Sequence, residues 1–354
     1  METKRYYNLD LMKCIAISFV VCSHSFYADR DIINSKSILA NVNYCFNGLL
    51  SVCVPIFFFV NGYLLFSKSF NLKKHVSKCV KLVVMTVFWC PVLFFLYEWI
   101  KDETFEWGRL VSSVLNMDKE LKFFWFMGEL FCIYIWFPAL KALFDTNIKA
   151  FIYFTAISAF FAFGLNFISH ILEYFYMAFD KEPILVTFPL LDMFITSNYA
   201  IVYFCLGGLA YMYKDKITAF PAKKRYMICC IGIVISALVL YSYAYFKSVT
   251  LDGHLWNNVS GGYSSIPVLC STVFWYGLCI DYQKNSKIVV LVSKNTLGIY
   301  ILHYLPIILS NKLLLSRKYM NNLLLIALHV VLVIAVCLGM IWILKKIPLI
   351  KKMI

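Results

Sequence analysis

In the run LDLMKCIAISFVVCSHSF a lysine, Lys13, and a histidine, His24, stand eleven positions apart. Eleven helical residues at about 100° each return to within about 20° of the starting direction and rise about 16 Å. Both side chains therefore project from one face, a cation near one mouth of the segment and an imidazole deep within it. Imidazole takes and returns protons near neutrality, and an ammonium is a compact charge for an anion. Ionisable groups in so apolar a run are costly and are functional candidates by default. Glu129, in FFWFMGELFCIYIWFPAL, and His303, in NTLGIYILHYLPI, are further candidates. By helical rise Glu129 and His24 lie at similar depth, on the order of 9 Å from the outer ends of their segments. A carboxylate there could orient and charge-stabilise the imidazole. Trp125, one turn before Glu129, offers an aromatic face, and Asn61 offers an amide beside Gly62. Each has a plainer reading. His24 and His303 can be packing residues bonded to a neighbouring helix, Lys13 can snorkel or pair with Asp10, and Trp125 can be an interfacial aromatic. The shared face of Lys13 and His24 favours chemistry.

The elements that must hold these residues follow from composition. Of 354 residues 62% are hydrophobic and 15% charged, outside the range of ordinary soluble domains. The fold class expected is all-α: a polytopic integral membrane protein. Apolar runs long enough to cross a bilayer, about 20 residues each, occupy 9–29, 47–66, 82–100, 121–143, 151–171, 191–213, 226–246, 264–282, 295–315 and 322–344, giving ten helices. Pro189 and Asp192 weaken the start of the sixth, and 172–190 reads as a re-entrant or interfacial stretch. Lysine and arginine concentrate in alternate connections, among them SKSFNLKKHVSKCVK and KDKITAFPAKKR, and in the tail KKIPLIKK, whereas most loop acids fall in the other set. This asymmetry predicts an N-in/C-in topology with the 67–81 loop inside. The net charge of +14 is then topology and contact with anionic lipid, not a nucleic-acid signal.

The N-terminal segment lacks a small-residue cleavage site before Asp29 and is read as a retained helix. The thirteen cysteines lie mostly inside predicted helices, without metal-ligand spacing, and are read as small apolar packing residues. His75, His170, His254 and His329 take structural readings, and the Asn258 sequon matters only in a eukaryotic source, which nothing in the sequence suggests. No linker, repeat or low-complexity tract divides the chain, so 1–354 is expected to be a single domain. No GxSxG elbow is present.

Four stretches resemble the acyltransferase 3 family of bacterial membrane acyltransferases, over nearly the whole length. NLDLMKCIAISFVVCSH is similar to that family's first helix, in which a basic residue, usually Arg, precedes a His by ten intervening positions; Lys13 stands for the Arg and His24 matches. VPIFFFVNGYLLFSKS resembles its Pro-aromatic run ending in Ser-Gly-Tyr, with Asn61 for the Ser. FFWFMGELFCIYIWFPAL resembles its Trp-Phe helix closing with Pro, and NTLGIYILHYLPI a late helix with Tyr and His. YFCLGGLAYMYKDK is a fifth, weaker match. Lysine keeps the charge but lacks the planar fork of Arg.

The resemblance implies an O-acyltransferase of the bacterial cytoplasmic membrane. Its donor would be a cytoplasmic acyl-CoA, acetyl-CoA first, with no bound cofactor or metal. Its acceptor would be a hydroxyl of a cell-surface or lipid-linked glycan. His24 would be the general base or a transient acyl carrier, with Glu129 beside it. Lys13, helped by Lys73, Lys74 and Lys78, would bind donor phosphates, and Asn61, Trp125 and His303 would contact substrate. Many relatives continue into a soluble esterase-like domain, and none is expected here, so transfer would finish within the membrane domain or pass to a separate extracytoplasmic protein. The alternative is a transporter of a small polar solute on the same scaffold, with His24, Glu129 and His303 relaying protons.

Overall fold

A computed structural model describes residues 5–25, 38–102, 104–116, 119–179, 198–250, 262–313 and 322–354. Among them the chain is helical, without strands. In order the helices are α1 (Tyr7–Ser25), α2 (Ile38–Leu50), α3 (Cys53–Phe66), α4 (Leu72–Lys101), α5 (Trp107–Asn116), α6 (Trp125–Thr146), α7 (Ile148–Ala159), α8 (Leu165–Ala178), α9 (Asn198–Ala219), α10 (Ala222–Thr250), α11 (Ile266–Cys279), α12 (Lys287–Lys294), α13 (Thr296–Leu302), α14 (Tyr304–Leu313), α15 (Leu323–Leu344) and α16 (Pro348–Lys351).

Helix starts are set by local chemistry. Asn71, Asn147 and Asn322 each accept a first-turn backbone N–H through Oδ1, at 2.9, 3.1 and 2.9 Å respectively, satisfying a donor that the helix itself cannot. Among the described residues six segments are long and apolar enough to cross a membrane: Asn41–Phe66, Leu72–Lys101, Leu121–Thr146, Ile148–Glu173, Ala222–Tyr245 and Leu323–Leu344. Lys287–Lys294 and Thr296–Lys312, bent by 59° at their junction, make a seventh if taken together. All ten sequence-predicted ranges contain a helix, but three of those helices are neither among the six nor in the bent pair: α1, with Asp10, Lys13 and His24 in 19 residues, α9, whose last turns carry Lys214, Asp215 and Lys216, and the 14-residue α11. Apolar side chains at helical spacing cover the outward faces, as with Val76, Val80, Val83, Val84 and Val87 on α4 and Leu324, Leu328, Val331 and Leu332 on α15, all exposed. Such stripes suit hydrocarbon, and this is a multi-pass membrane protein.

One expectation is corrected. The 67–81 loop is only a short turn, because the Asn71 cap starts α4 at Leu72. Thirty residues of helix measure about 45 Å against a hydrocarbon core of about 30 Å, and the surplus turns carry Lys73, Lys74, Lys78 and Lys81, all exposed. Residues 172–178 likewise belong to α8; residues 180–190, His254 and the Asn258 sequon lie outside the described residues.

The chain forms two compact units. The first comprises Met1–Tyr27, Phe70–Pro138 and Lys284–Ile354. In it α1 packs against α12, α13, α14 and α15, and Trp89 Nε1 donates to the Met353 carbonyl at 2.8 Å, fixing the C-terminal turn to α4. The second comprises Ala28–Ser69 and Ala139–Gln283. Its centre is the crossing of α3 and α9. A Cβ on Gly62 would lie 1.9 Å from the Phe204 carbonyl oxygen, and one on Gly207 would lie 2.0 Å from that of Phe59. Only glycine permits this backbone-on-backbone contact. Nearby, buried Lys141 donates to the Phe66 carbonyl at 3.1 Å and to Asp145 at 2.7 Å, closing the C-terminus of α3.

Candidate active site

The first unit assembles the strongest of the predicted residues. Its foundation is the start of α1, where both oxygens of the buried Asp10 carboxylate are engaged. Arg5 Nε donates to Oδ2 at 2.6 Å and Ser293 Oγ donates to Oδ1 at 2.7 Å. Four residues on, Cys14 Sγ donates to the Val289 carbonyl at 3.3 Å. These contacts tie α1 to α12 and fix the rotation of the helix, and with it the face carrying Lys13 and His24.

His24, in the last turn of α1, is exposed. Its ring centroid lies 5.1 Å from that of His303, with the planes at 49°, and 5.7 Å from Tyr304, edge-on. His303 sits at the junction of α13 and α14, three residues before Pro306, which cannot donate to the Leu302 carbonyl as an ordinary residue would. The His303 backbone N–H still reaches the Ile299 carbonyl at 2.8 Å, while its side-chain Nδ1 lies 2.6 Å from the Tyr300 carbonyl. The side chain is fully buried, and its Nε2 has no hydrogen-bond partner among the described residues.

Aromatic rings close around this pair. Phe123 lies 5.3 Å from His303, Tyr97 lies 5.7 Å from Tyr304, and Phe126 lies 5.1 Å from Tyr300. The Tyr300 hydroxyl donates to the Phe123 carbonyl, locking α13 to the turn before α6. Next to Tyr97, buried Glu98 takes a two-pronged ion pair from Arg109: Nη2 donates to Oε1 at 3.1 Å and Nη1 lies 3.0 Å from Oε2. Tyr97, Phe123 and Glu98 were not singled out by sequence. Glu98, an acid just inside the end of an apolar span, was the signal available for that corner.

The remaining candidates are placed as follows. Lys13 is half-buried on α1; Trp125 and Glu129 are half-buried in the first turns of α6, the helix that supplies Phe126. Asn61 belongs to the second unit, and its Nδ2 donates to the Phe57 carbonyl of its own helix at 2.9 Å. The structural histidines have identifiable tasks. His75, read from sequence as a loop residue, is buried in α4, with Nε2 2.7 Å from the Tyr134 carbonyl. His170 bonds the Tyr243 hydroxyl, and His329 Nε2 lies 2.9 Å from Ser310 Oγ. All thirteen cysteines are free thiols.

The site can therefore present an accessible imidazole against a buried one inside an aromatic wall, on a helix whose same face carries a cation. Residues 6–343 match a family model described as an acyltransferase domain. No curated protein and no solved structure matches the chain.

Proposed function

Because the chain belongs to the acyltransferase 3 family, a family of membrane acyltransferases, we propose that it moves an acyl group from a cytoplasmic acyl-CoA, acetyl-CoA first, to a hydroxyl of a cell-surface or lipid-linked glycan at the bacterial cytoplasmic membrane. The observation that carries this reading is the His24–His303 pair inside its aromatic wall, eleven residues from Lys13 along α1. His24 takes the proton of the acceptor hydroxyl as its oxygen attacks the thioester carbonyl carbon. The carbon–sulfur bond breaks, and the proton leaves with the thiolate as free CoA thiol. The rise of about 16 Å from Lys13 to His24 is comparable to an extended pantetheine arm, so Lys13 serves the phosphate end while His24 serves the thioester. Lys73, Lys74 and Lys78, exposed on the overhanging start of α4, add attraction for the donor. Glu129 and Trp125 line the acceptor side, and both termini are cytoplasmic in a ten-span arrangement.

Mass spectrometry of surface polysaccharide, peptidoglycan and lipid-linked sugars from cells with and without the gene tests this. Loss of an acetyl or succinyl increment from one glycan class is expected, and its restoration by the wild-type gene but not by His24→Ala. Removing a general base typically lowers rate by about 10²–10⁴-fold. Substantial acyl transfer by a well-folded His24→Ala protein would remove the mechanism.

A further inference from the structure

Resting on that reading of His24, we infer that His303 is its positioning partner: a neutral imidazole whose proton is parked on the Tyr300 carbonyl and whose Nε2 accepts the N–H of His24. A carbonyl oxygen can only accept, so the 2.6 Å contact from His303 Nδ1 to Tyr300 O requires the proton on Nδ1. That leaves Nε2 with a lone pair and no donor role. It is the one ring atom of His303 still able to bond, it is buried, and it has no partner among the described residues. A buried acceptor in that condition is costly.

The ring contact supplies the partner. Two imidazoles joined by an in-line N–H···N bond of about 2.9 Å have centroids about 5 Å apart, and the His24 and His303 centroids are 5.1 Å apart. The 49° between their planes is a twist that an in-line bond tolerates, and what is missing, since Nε2 is unbonded among the described residues, is a turn of the exposed His24 ring that aims one of its nitrogens at Nε2; His303, walled in by Phe123 and held at Nδ1, does not turn. Once made, the bond fixes the tautomer of His24, with its proton on the nitrogen facing His303 and its lone pair on the nitrogen facing substrate. When His24 gains the proton of the acceptor hydroxyl, the same N–H carries more positive charge and the bond to Nε2 strengthens, so the charged stage is favoured more than the resting one. The proton returns to the leaving thiolate, and His303 ends as it began. The role is that of the orienting group in a base–orienter pair, performed here by an uncharged ring instead of a carboxylate.

This differs from a binding role in what it predicts. His303→Phe keeps a ring against Phe123 and Tyr304 but has no acceptor, whereas His303→Gln restores an oxygen near the Nε2 position. In purified protein in nanodiscs, with acyl-CoA and the acceptor glycan, His303→Phe should lower kcat by on the order of 10²-fold with KM for acyl-CoA changed less than about twofold. His303→Gln should recover about tenfold of that loss. A raised KM with unchanged kcat in His303→Phe, or equal turnover by wild type and His303→Phe, would overturn the assignment. Histidine ¹⁵N NMR of the folded wild-type protein gives a second readout independent of turnover: Nδ1 of His303 should be protonated and Nε2 not, and the reverse tautomer would overturn it even if neither variant folds. Retained activity of His24→Ala, by contrast, would sink the underlying reading of the base rather than this assignment alone.

Discussion

Lys13 shows how far a single residue can be read. Its spacing from His24 was legible because helical geometry converts eleven positions into one shared face. Its plainest alternative, pairing with Asp10, competes with contacts that engage both Asp10 oxygens, from Arg5 and Ser293. Lys13→Ala should therefore raise the KM for acyl-CoA by about tenfold, the equivalent of one charge-assisted contact of about 1.4 kcal/mol, with kcat nearly kept. Lys13→Arg should match or improve on wild type, since the guanidinium fork grips phosphate at two points. Steady-state titration of the donor checks both, and unchanged KM in the alanine variant would make Lys13 a snorkelling residue only. The partner of His24 was much less legible. Sequence offered Glu129 from matched depth, whereas the ring found against His24 comes from His303, near the other end of the chain. No local pattern encodes contact at such separation; it depends on α1 packing against α12 to α15, which Asp10 and Cys14 enforce through bonds to residues far along the chain.

At the scale of elements, α4 and α6 explain a histidine that looked like solvated loop. Pro138 inside α6 has no N–H for the carbonyl four residues back, which is that of Tyr134. His75 Nε2 lies 2.7 Å from that carbonyl and so repairs the gap left by the proline. Replacing His75 by Leu should destabilise the protein by about 1–3 kcal/mol, the range for leaving a buried polar group unsatisfied. In a Pro138→Ala background the same replacement should be nearly neutral, because the backbone N–H that the alanine introduces then serves the Tyr134 carbonyl. Thermal midpoints of the four proteins in one detergent measure the coupling, and additive losses would refute it. Sequence misjudged this stretch because lysines dominate 73–81, yet Asn71 as a cap and the valines at 76, 80, 83, 84 and 87 already carried helical spacing. A basic run is compatible with helix wherever that helix outreaches the bilayer.

For the molecule as a whole, orientation is what links the donor's compartment to Lys13. The charge asymmetry predicts that Ser69, beside the basic start of α4, faces the cytoplasm and that Ser112, on α5 and exposed, faces outward. With cysteine at each position, an impermeant thiol reagent on intact cells should label Ser112→Cys and not Ser69→Cys. The reverse result would invert the donor side. Membrane class and most helix positions were legible because burial in lipid demands long apolar runs. The bend before Thr296 and the shortness of α11 were not, since composition reports apolarity and not straightness or length in space. The α3–α9 crossing adds a constraint in time. Gly62 and Gly207 lie more than a hundred residues apart in the chain, so at roughly 5–20 residues per second the ribosome needs on the order of ten seconds to deliver the second glycine after the first. Throughout that interval α3 waits in the membrane with its bare backbone groove unfilled. Nascent chains arrested before α9 should therefore be the forms that membrane proteases and insertion chaperones capture.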